Sequence, residues 1–331
     1  RCCSSAASDV YKRQFWYNAV EAEVYAMASL ILSLLFWLGL KWVENIESER
    51  GDKWLILISF VIGLSFGVHF MGLLAIPAIG LLYYFKKYTF KLGSFLLANI
   101  ISISILLFIF KLLLPTTLSI FGYVEVFFVN EIGLPFNYGT IFSAILLILT
   151  IYYLLNKSYK KNKYALNTIT LCITFIFIGF SSWLMIPIRS NANTVINENA
   201  PSDARSLLAY YNLEQYPDTY LFRGPMYSDI YSGQDDNEPY KDDKPKYERD
   251  YKKNKYIVVN DWKKGKLNNN KEHVGFFPRM WSSENAVNYL DFTGFLDFSI
   301  KNEYKDQEQL IELVNQFKSS VDENDITSEE Y

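Results

Sequence analysis

The chain has 331 residues, half of them hydrophobic and one fifth charged, and its formal net charge is −3. This balance and the absence of a basic stripe exclude a nucleic-acid-binding protein, and three cysteines are too few for a disulfide framework. The first 188 residues contain five long uncharged blocks, which are typical of membrane-spanning helices. The blocks are Val24–Leu40, Trp54–Phe85, Leu92–Phe110, Ile132–Asn156 and Tyr164–Ile188.

Residues 1–14 differ from the rest of the chain, because they have no start methionine and no helical period. They resemble a translated sequencing-adaptor scar, so we exclude them from the fold. We therefore expect the chain to be a fragment. Residues 15–188 are predicted to form a transmembrane domain that belongs to a larger core.

Lysines beside membrane spans mark the cytoplasmic side. Three of them, at positions 86, 87 and 91, follow the second block, and four more, at 157, 160, 161 and 163, separate the last two blocks. The segment Pro115–Gly139 between these clusters has no Lys or Arg, so it is predicted to be external. The last span then ends outside and leaves residues 189–331 on the external, periplasmic side.

The block Trp54–Phe85 is predicted to cross twice, because its 32 residues would form a helix of about 48 Å and the hydrocarbon core is about 30 Å thick. Glycines and a histidine place the break around Gly63–His69. Two crossings here make about six spans in total. They also bring Glu21, Glu23 and His69 to the external face.

The segment 189–331 is polar, with 18 basic and 26 acidic residues and hence a net charge of −8. Its dense mixture of charges at Asp235–Lys255 predicts a solvated loop. The apolar run at 256–259 predicts a strand, and Gln307–Phe317 has the spacing of an amphipathic helix. The overall prediction is a mostly α, polytopic helical membrane protein followed by a soluble α+β external segment.

Three stretches carry a resemblance to a known family. They are Phe-Trp-Tyr-Asn-Ala-Val-Glu-Ala-Glu-Val-Tyr-Ala at 15–26, Gly-Leu-Ser-Phe-Gly-Val-His at 63–69, and Phe-Phe-Val-Asn-Glu-Ile-Gly-Leu-Pro-Phe-Asn at 127–137. The chain resembles, over roughly residues 15–300, a family of bacterial multi-pass membrane proteins long catalogued as a domain of unknown function. That family is related to a vertebrate protein O-mannosyltransferase of the GT-C glycosyltransferase class.

The resemblance implies a GT-C-like fold in the inner (cytoplasmic) membrane and the transfer of a sugar from a polyprenyl-phosphate carrier at the external face. It also implies that the main catalytic carboxylate lies in a first external loop, which would precede Phe15. Further spans are expected beyond Tyr331. We therefore expect this chain to be inactive by itself.

Glu21 and Glu23 are the candidate catalytic carboxylates, because a base is needed to deprotonate an acceptor hydroxyl. Only one of them can face a given site on a helix, and Tyr25 shares a face with Glu21. His69, at the predicted break, is a candidate for binding a phosphate or a sugar. Each of these residues also has a simpler interpretation without a role in a site. Glu21 and Glu23 could be ordinary carboxylates at the membrane interface, and His69 could be a hydrogen-bonded residue between packed helices.

Arg189 ends the last span. Its guanidinium is suited to binding a phosphate, and an arginine that extends from the end of a span toward the headgroups explains it equally well. Asn197 and Glu198 follow it as candidates for lining an acceptor cleft. The sequence indicates no metal site and no cofactor, and leaves a divalent cation open.

The predicted function is transfer of a hexose, mannose by the resemblance, from a polyprenyl phosphate to an acceptor protein or glycan, chiefly Ser or Thr of exported proteins. Its predicted partners are therefore that lipid-linked sugar, the acceptor and membrane lipids. One alternative is a lipid-linked sugar flippase or transporter with a midplane site at the broken helix. Another is a membrane anchor that displays the acidic segment.

Overall fold

The computed structural model describes residues 24–48, 50–192, 194–216, 220, 222–228, 235, 237–276, 279–295, 300, 304–322 and 326–328. They divide into two compact units. The first comprises Arg1–Gln215 with Tyr247–Ile257, and the second comprises Tyr216–Lys246 with Val258–Tyr331. Glu21 and Glu23 lie outside the described residues.

The first unit is built mainly of helices. They are α1 Tyr25–Glu44, α2 Asp52–Ser65, α3 Ala75–Lys87, α4 Leu92–Leu107, α5 Leu114–Asn130, α6 Tyr138–Lys160, α7 Tyr164–Phe180, α8 Met185–Ser190 and α9 Ala204–Tyr211, with 3₁₀ turns at Phe70–Leu74 and Ser181–Leu184. The unit also contains strand β3 Tyr247–Asp250, which pairs with β4 Lys255–Val258.

Among the described residues, five helical segments are long and apolar enough to cross a membrane: Tyr25–Glu44, Phe70–Lys87, Leu92–Asn130, Tyr138–Lys160 and Tyr164–Ser190. This is the architecture of a helical membrane protein, as the uncharged blocks predict. Helix α2, the first half of the block Trp54–Phe85, is the one predicted span that is not among these five. Its 14 residues are fewer than the about 20 that one crossing needs. The count of six spans stays a prediction.

The predicted break is a reversal of the chain between α2 and α3. Glu47, just before α2, pairs with Lys87 at the end of α3 at 3.0 Å, and Asp52 accepts a hydrogen bond from Thr168 at the start of α7 at 2.7 Å. The far ends of α2 and α3 therefore lie together, at what we call the lysine-rich end: residues 41–53, 86–91 and 157–163. The predicted break at Gly63–His69 is therefore a turn between two helices, and the transporter with a midplane site there stays an alternative.

Helices α2 and α7 pack in close contact through two glycines. A Cβ atom on Gly63 would overlap the carbonyl oxygen of Ile176, and one on Gly179 would overlap that of Phe60. Small residues allow such backbone approach, which is a common way for helices to pack in a membrane. The pair forms the centre of the apolar core, with Ile58, Ile62 and Ile176 buried there.

Helix α4 does not end at Phe110 as the uncharged block predicts. It continues through a π-helical segment, Phe108–Leu113, into α5, and Pro115 is accommodated in the first turn of α5. The continuous helix Leu92–Asn130 has 39 residues. At 1.5 Å per residue it is about 58 Å long, so about half of it exceeds one crossing.

The second unit contains short elements around a small core. Strand β1 Gly224–Pro225 pairs antiparallel with β6 Val274–Gly275, and β2 Tyr240–Lys241 pairs with β5 Lys266–Leu267. Tyr227, Met280, Ala286 and Leu290 form the core, the last two on α10 Ala286–Thr293. Helix α11, Glu308–Asp322, contains the predicted amphipathic segment, and β4 confirms the predicted strand. The α+β prediction is thus confirmed.

Candidate functional site

The helix ends opposite the lysine-rich end form a cluster of aromatic rings, which we call the aromatic end: Phe66, Phe70, Phe110, Phe180, Trp183, Tyr210 and Tyr211. Neighbouring ring centroids lie about 5.5 Å apart, in mostly edge-to-face pairs. Trp183 donates a hydrogen bond to the Phe66 carbonyl at 2.6 Å, and the Tyr211 hydroxyl donates to the Phe110 carbonyl at 3.0 Å. The cluster thereby fixes α9 on the ends of the spans.

Tyr25 and His69 meet at this end, as the sequence suggested for its external candidates. Their ring centroids lie 6.0 Å apart. His69 caps the 3₁₀ turn, because its Nδ1 accepts a hydrogen bond from the Met71 amide at 3.1 Å. A neutral ring with Nδ1 as acceptor carries its proton on Nε2, so the site offers one N–H donor and the exposed phenol of Tyr25. Both groups suit phosphate or sugar oxygens.

The other predicted site residues lie elsewhere. Arg189 is exposed in the last turn of α8, and Asn197 donates to the Ser190 carbonyl at 3.1 Å. Glu198 lies in the exposed turn that follows. Contacts within the described part of the chain do not join Arg189 or Asn197 to the Tyr25–His69 pair. Their roles, and those of Glu21 and Glu23, stay predictions.

A second polar cluster surrounds Glu125, whose side chain is fully buried on α5. One carboxylate oxygen accepts hydrogen bonds from the Asn137 amide and the Tyr256 hydroxyl, the latter at 3.3 Å. The other oxygen accepts from the Thr140 amide at 2.9 Å and the Thr140 hydroxyl at 3.0 Å. Four donors surround this carboxylate, so it acts as a structural anchor between α5, the start of α6 and Tyr256.

Arg249 completes this network from strand β3. Its guanidinium lies 3.2 Å from Asp203 and 3.9 Å from Glu125, and it donates to Asn137 at 2.6 Å and to the Tyr256 hydroxyl at 3.0 Å. Burial is the largest influence on the pKa of Arg249 and by itself would lower it, but the negative charge of Asp203 and the contacts with Tyr256 and Tyr251 together outweigh burial and raise the pKa. Burial, aided by Asp203, raises the pKa of the Tyr256 phenol above its ordinary value.

The network attaches the β3–β4 hairpin to the helices. Asn130 forms a pair of hydrogen bonds with the backbone of Tyr256, at 2.9 and 2.8 Å. The Asp250 carboxylate accepts from the Lys252 and Lys253 amides in the loop, and Asn254 adopts a left-handed φ of 52° that closes it. The prediction of a solvated loop for Asp235–Lys255 is therefore wrong for β3, where Arg249 pairs with Asp203 and the buried Glu125. It holds for residues 251–255, which are exposed.

One sequence signal for Glu125 was available. Leu118, Gly122, Glu125 and Val129 are the buried positions in the latter part of α5, and they repeat at helical spacing. A carboxylate within such a stripe is expected to be buried and paired. The positions of Arg249 and Tyr256 carry no comparable local signal.

No group of three or more His, Cys, Asp or Glu residues suited to holding a metal ion occurs within the part of the chain that the structure describes.

Comparison with known proteins adds a family relation. Residues 3–92 match the model of the protein O-mannosyl-transferase TMEM260 N-terminal domain, and this range includes Tyr25 and His69. Residues 217–318 match a family of unknown function, DUF8416. The chain matches no curated protein and no solved structure. Over residues 3–92 the chain is thus related to the protein O-mannosyltransferases, which confirms for this part the resemblance given by its motifs.

Proposed function

We propose that the protein is a membrane glycosyltransferase that transfers a hexose, mannose, from a polyprenyl phosphate to a hydroxyl group at the external membrane face. The observation that carries this proposal is the match of residues 3–92 to an O-mannosyltransferase domain, in which Tyr25 and His69 form a polar pair at one end of the helices. The fold supports a membrane enzyme, and the pair offers the donors that a phosphate requires.

The orientation follows from charge. The lysine-rich end carries Lys86 and Lys87 beside one span and Lys157 and Lys160 beside another. Short loops rich in lysine stay in the cytoplasm, so the aromatic end faces outward. This places the Tyr25–His69 pair where a lipid-linked sugar and an exported protein would meet. The residues from 189 onward are then external too.

The proposed reaction is a displacement at the anomeric carbon. The acceptor hydroxyl oxygen, from Ser or Thr, attacks this carbon, the bond from carbon to the phosphate oxygen breaks, and the phosphate leaves with the electron pair. The Nε2–H of His69 and the Tyr25 hydroxyl stabilise the charge that develops on the phosphate. A carboxylate accepts the hydroxyl proton, and Glu23, two residues before Tyr25, is the candidate in this chain.

The test measures transfer by the whole gene product in membranes, with radiolabelled polyprenyl-phosphate mannose and a pool of exported proteins. Removing a general base lowers such a rate by about 10²–10⁴-fold, and removing one donor to the leaving group lowers it by about 10²–10³-fold. We therefore expect Glu23→Gln and His69→Ala to abolish most labelling.

Glu44→Gln is the matched control, because Glu44 is an exposed carboxylate at the lysine-rich end of α1. It should label protein at the wild-type rate. Labelling by Glu23→Gln at the wild-type rate would remove Glu23 from the mechanism. Absence of transfer from several lipid-linked sugars by the wild-type protein would refute the proposed function itself.

A further inference from the structure

Lys111 is a charged residue inside the long apolar helix Leu92–Asn130, within its π-helical segment. Its side chain is exposed, and its Nζ lies 4.8 Å from the centroid of the Phe110 ring. No carboxylate of the described residues lies within ion-pairing distance of this Nζ. A cation in a membrane helix without an acidic partner is a candidate for binding an anion.

The height of Lys111 in the membrane agrees with such a role. It follows Leu92, the first residue of the helix, by 19 positions, which at 1.5 Å per residue is about 29 Å. This equals the thickness of one hydrocarbon core, so Lys111 lies at the boundary opposite the lysine-rich end. A π-helical turn contains one extra residue and so turns the following side chains by about 100°; such turns are frequent at functional sites.

Ring contacts lead from Lys111 to the Tyr25–His69 pair. The Phe110 ring lies 5.4 Å from the ring of Phe70, which directly follows His69 in the chain. His69 in turn lies 6.0 Å from Tyr25. Lys111 therefore borders the same aromatic end as the proposed site, and it brings a positive charge that neither His69 nor Tyr25 supplies when neutral.

We propose that Lys111 binds the phosphate of the lipid-linked donor, beside the Nε2–H of His69. This inference rests on the proposed function and adds a residue to the same site. An ammonium group offers three donors to a phosphodiester that carries one negative charge. Leu107 and Ile103, about one and two turns before Lys111, are 49% and 47% exposed. They provide an apolar surface on which the prenyl chain would lie.

The alternative is that Lys111 only extends its ammonium group to the lipid headgroups and binds no donor. A binding measurement distinguishes these two roles. The probe is radiolabelled polyprenyl phosphate without a sugar, bound to the whole gene product in nanodiscs of zwitterionic lipid. We expect Lys111→Gln to weaken binding about 10- to 100-fold, because a charge-assisted contact is lost. Lys111→Arg keeps the charge and should bind within about threefold of wild type. Lys86→Gln, an exposed lysine at the opposite end, should bind as wild type does.

Wild-type affinity in Lys111→Gln would overturn the proposal. Competition experiments show which phosphate compound the site prefers. Unlabelled inorganic phosphate and an anionic phospholipid should displace the labelled polyprenyl phosphate poorly. If the phospholipid displaces it as well as unlabelled polyprenyl phosphate does, the assignment to the donor is also overturned. Because binding is read without sugar transfer, failure of transfer in the same preparation would refute the proposed function and leave the Lys111 site standing.

Discussion

Replacing Glu125 by glutamine should release the β3–β4 hairpin from the helices. The change keeps the size of the side chain but gives it one acceptor oxygen and one NH₂ group, where the carboxylate receives four hydrogen bonds. If the new nitrogen faces Thr140, the Thr140 hydroxyl can turn to accept, but the Thr140 amide loses its acceptor. If it faces the other way, the Tyr256 hydroxyl can accept and the Asn137 amide loses its acceptor.

Either orientation leaves one buried N–H unpaired, which costs about 1–3 kcal/mol. The charge opposite Arg249, at 3.9 Å, is lost as well. Since removing one partner of a buried ion pair is costly in itself, we expect a total of about 2–4 kcal/mol. The hydrogen bond from the Thr140 or Asn137 N–H belongs to the α5–α6 contact and is lost whether or not the hairpin is docked. Only the weakened contacts with Tyr256 and Arg249, about 1–2 kcal/mol, shift docking. The undocked population therefore increases about 5- to 30-fold.

Trypsin cleavage after Arg249 measures that population, because the Arg249 side chain is only 11% exposed when docked. The rate of cleavage follows the open population when the hairpin opens and closes faster than it is cut. Glu131→Gln is the control, since Glu131 is exposed in the turn after α5. Cleavage of Glu125→Gln at the wild-type rate would refute the reasoning that this carboxylate holds the hairpin.

Two further predictions concern packing and pH. Gly179→Ala should lower the thermal stability of the detergent-solubilised protein, because the added Cβ would overlap the backbone of α2. Gly93→Ala, which has open space around it, should leave the stability unchanged. Equal stability of the two variants would contradict the contact between α2 and α7. The raised pKa of Tyr256 means that the native state keeps its phenol neutral, so its contribution to stability is present below pH 10 and is lost as the pH rises further. Unfolding temperatures measured between pH 8 and 11 should therefore fall less steeply for Tyr256→Phe than for wild type, and parallel curves would show that Tyr256 titrates equally in both states.

The sequence predicts the membrane helices well because a helix in lipid must be apolar over its whole length, which leaves a signal in each block. The turn around His69 is predicted for the same reason, since glycines and a histidine interrupt the run. The uncharged block ends at Phe110, yet the helix continues through the π-helical segment Phe108–Leu113 to Asn130. Composition alone does not separate these two outcomes.

The candidate site is predicted less completely. The proximity of Tyr25 and His69 follows from placing both at one membrane face, and the hydrogen bond that His69 Nδ1 accepts from the Met71 amide adds the tautomer. The burial of Arg249 does not follow from its surroundings in the sequence, which are charged, and the apolar run at 256–259 predicts a strand but not that Tyr256 is buried against Glu125 on α5. Long-range pairs of this kind leave no periodic pattern in the segment that contains them.

The distance along the chain between Glu125 and Tyr256 also sets an order of events during synthesis. The two residues are 131 positions apart. At about 5–20 residues per second, Tyr256 is made about 7–26 s after Glu125. During this interval only Asn137 and Thr140, which follow Glu125 within 15 positions, can satisfy the carboxylate. Attachment of the hairpin is therefore a late step, which requires that the chain has been made as far as residue 256.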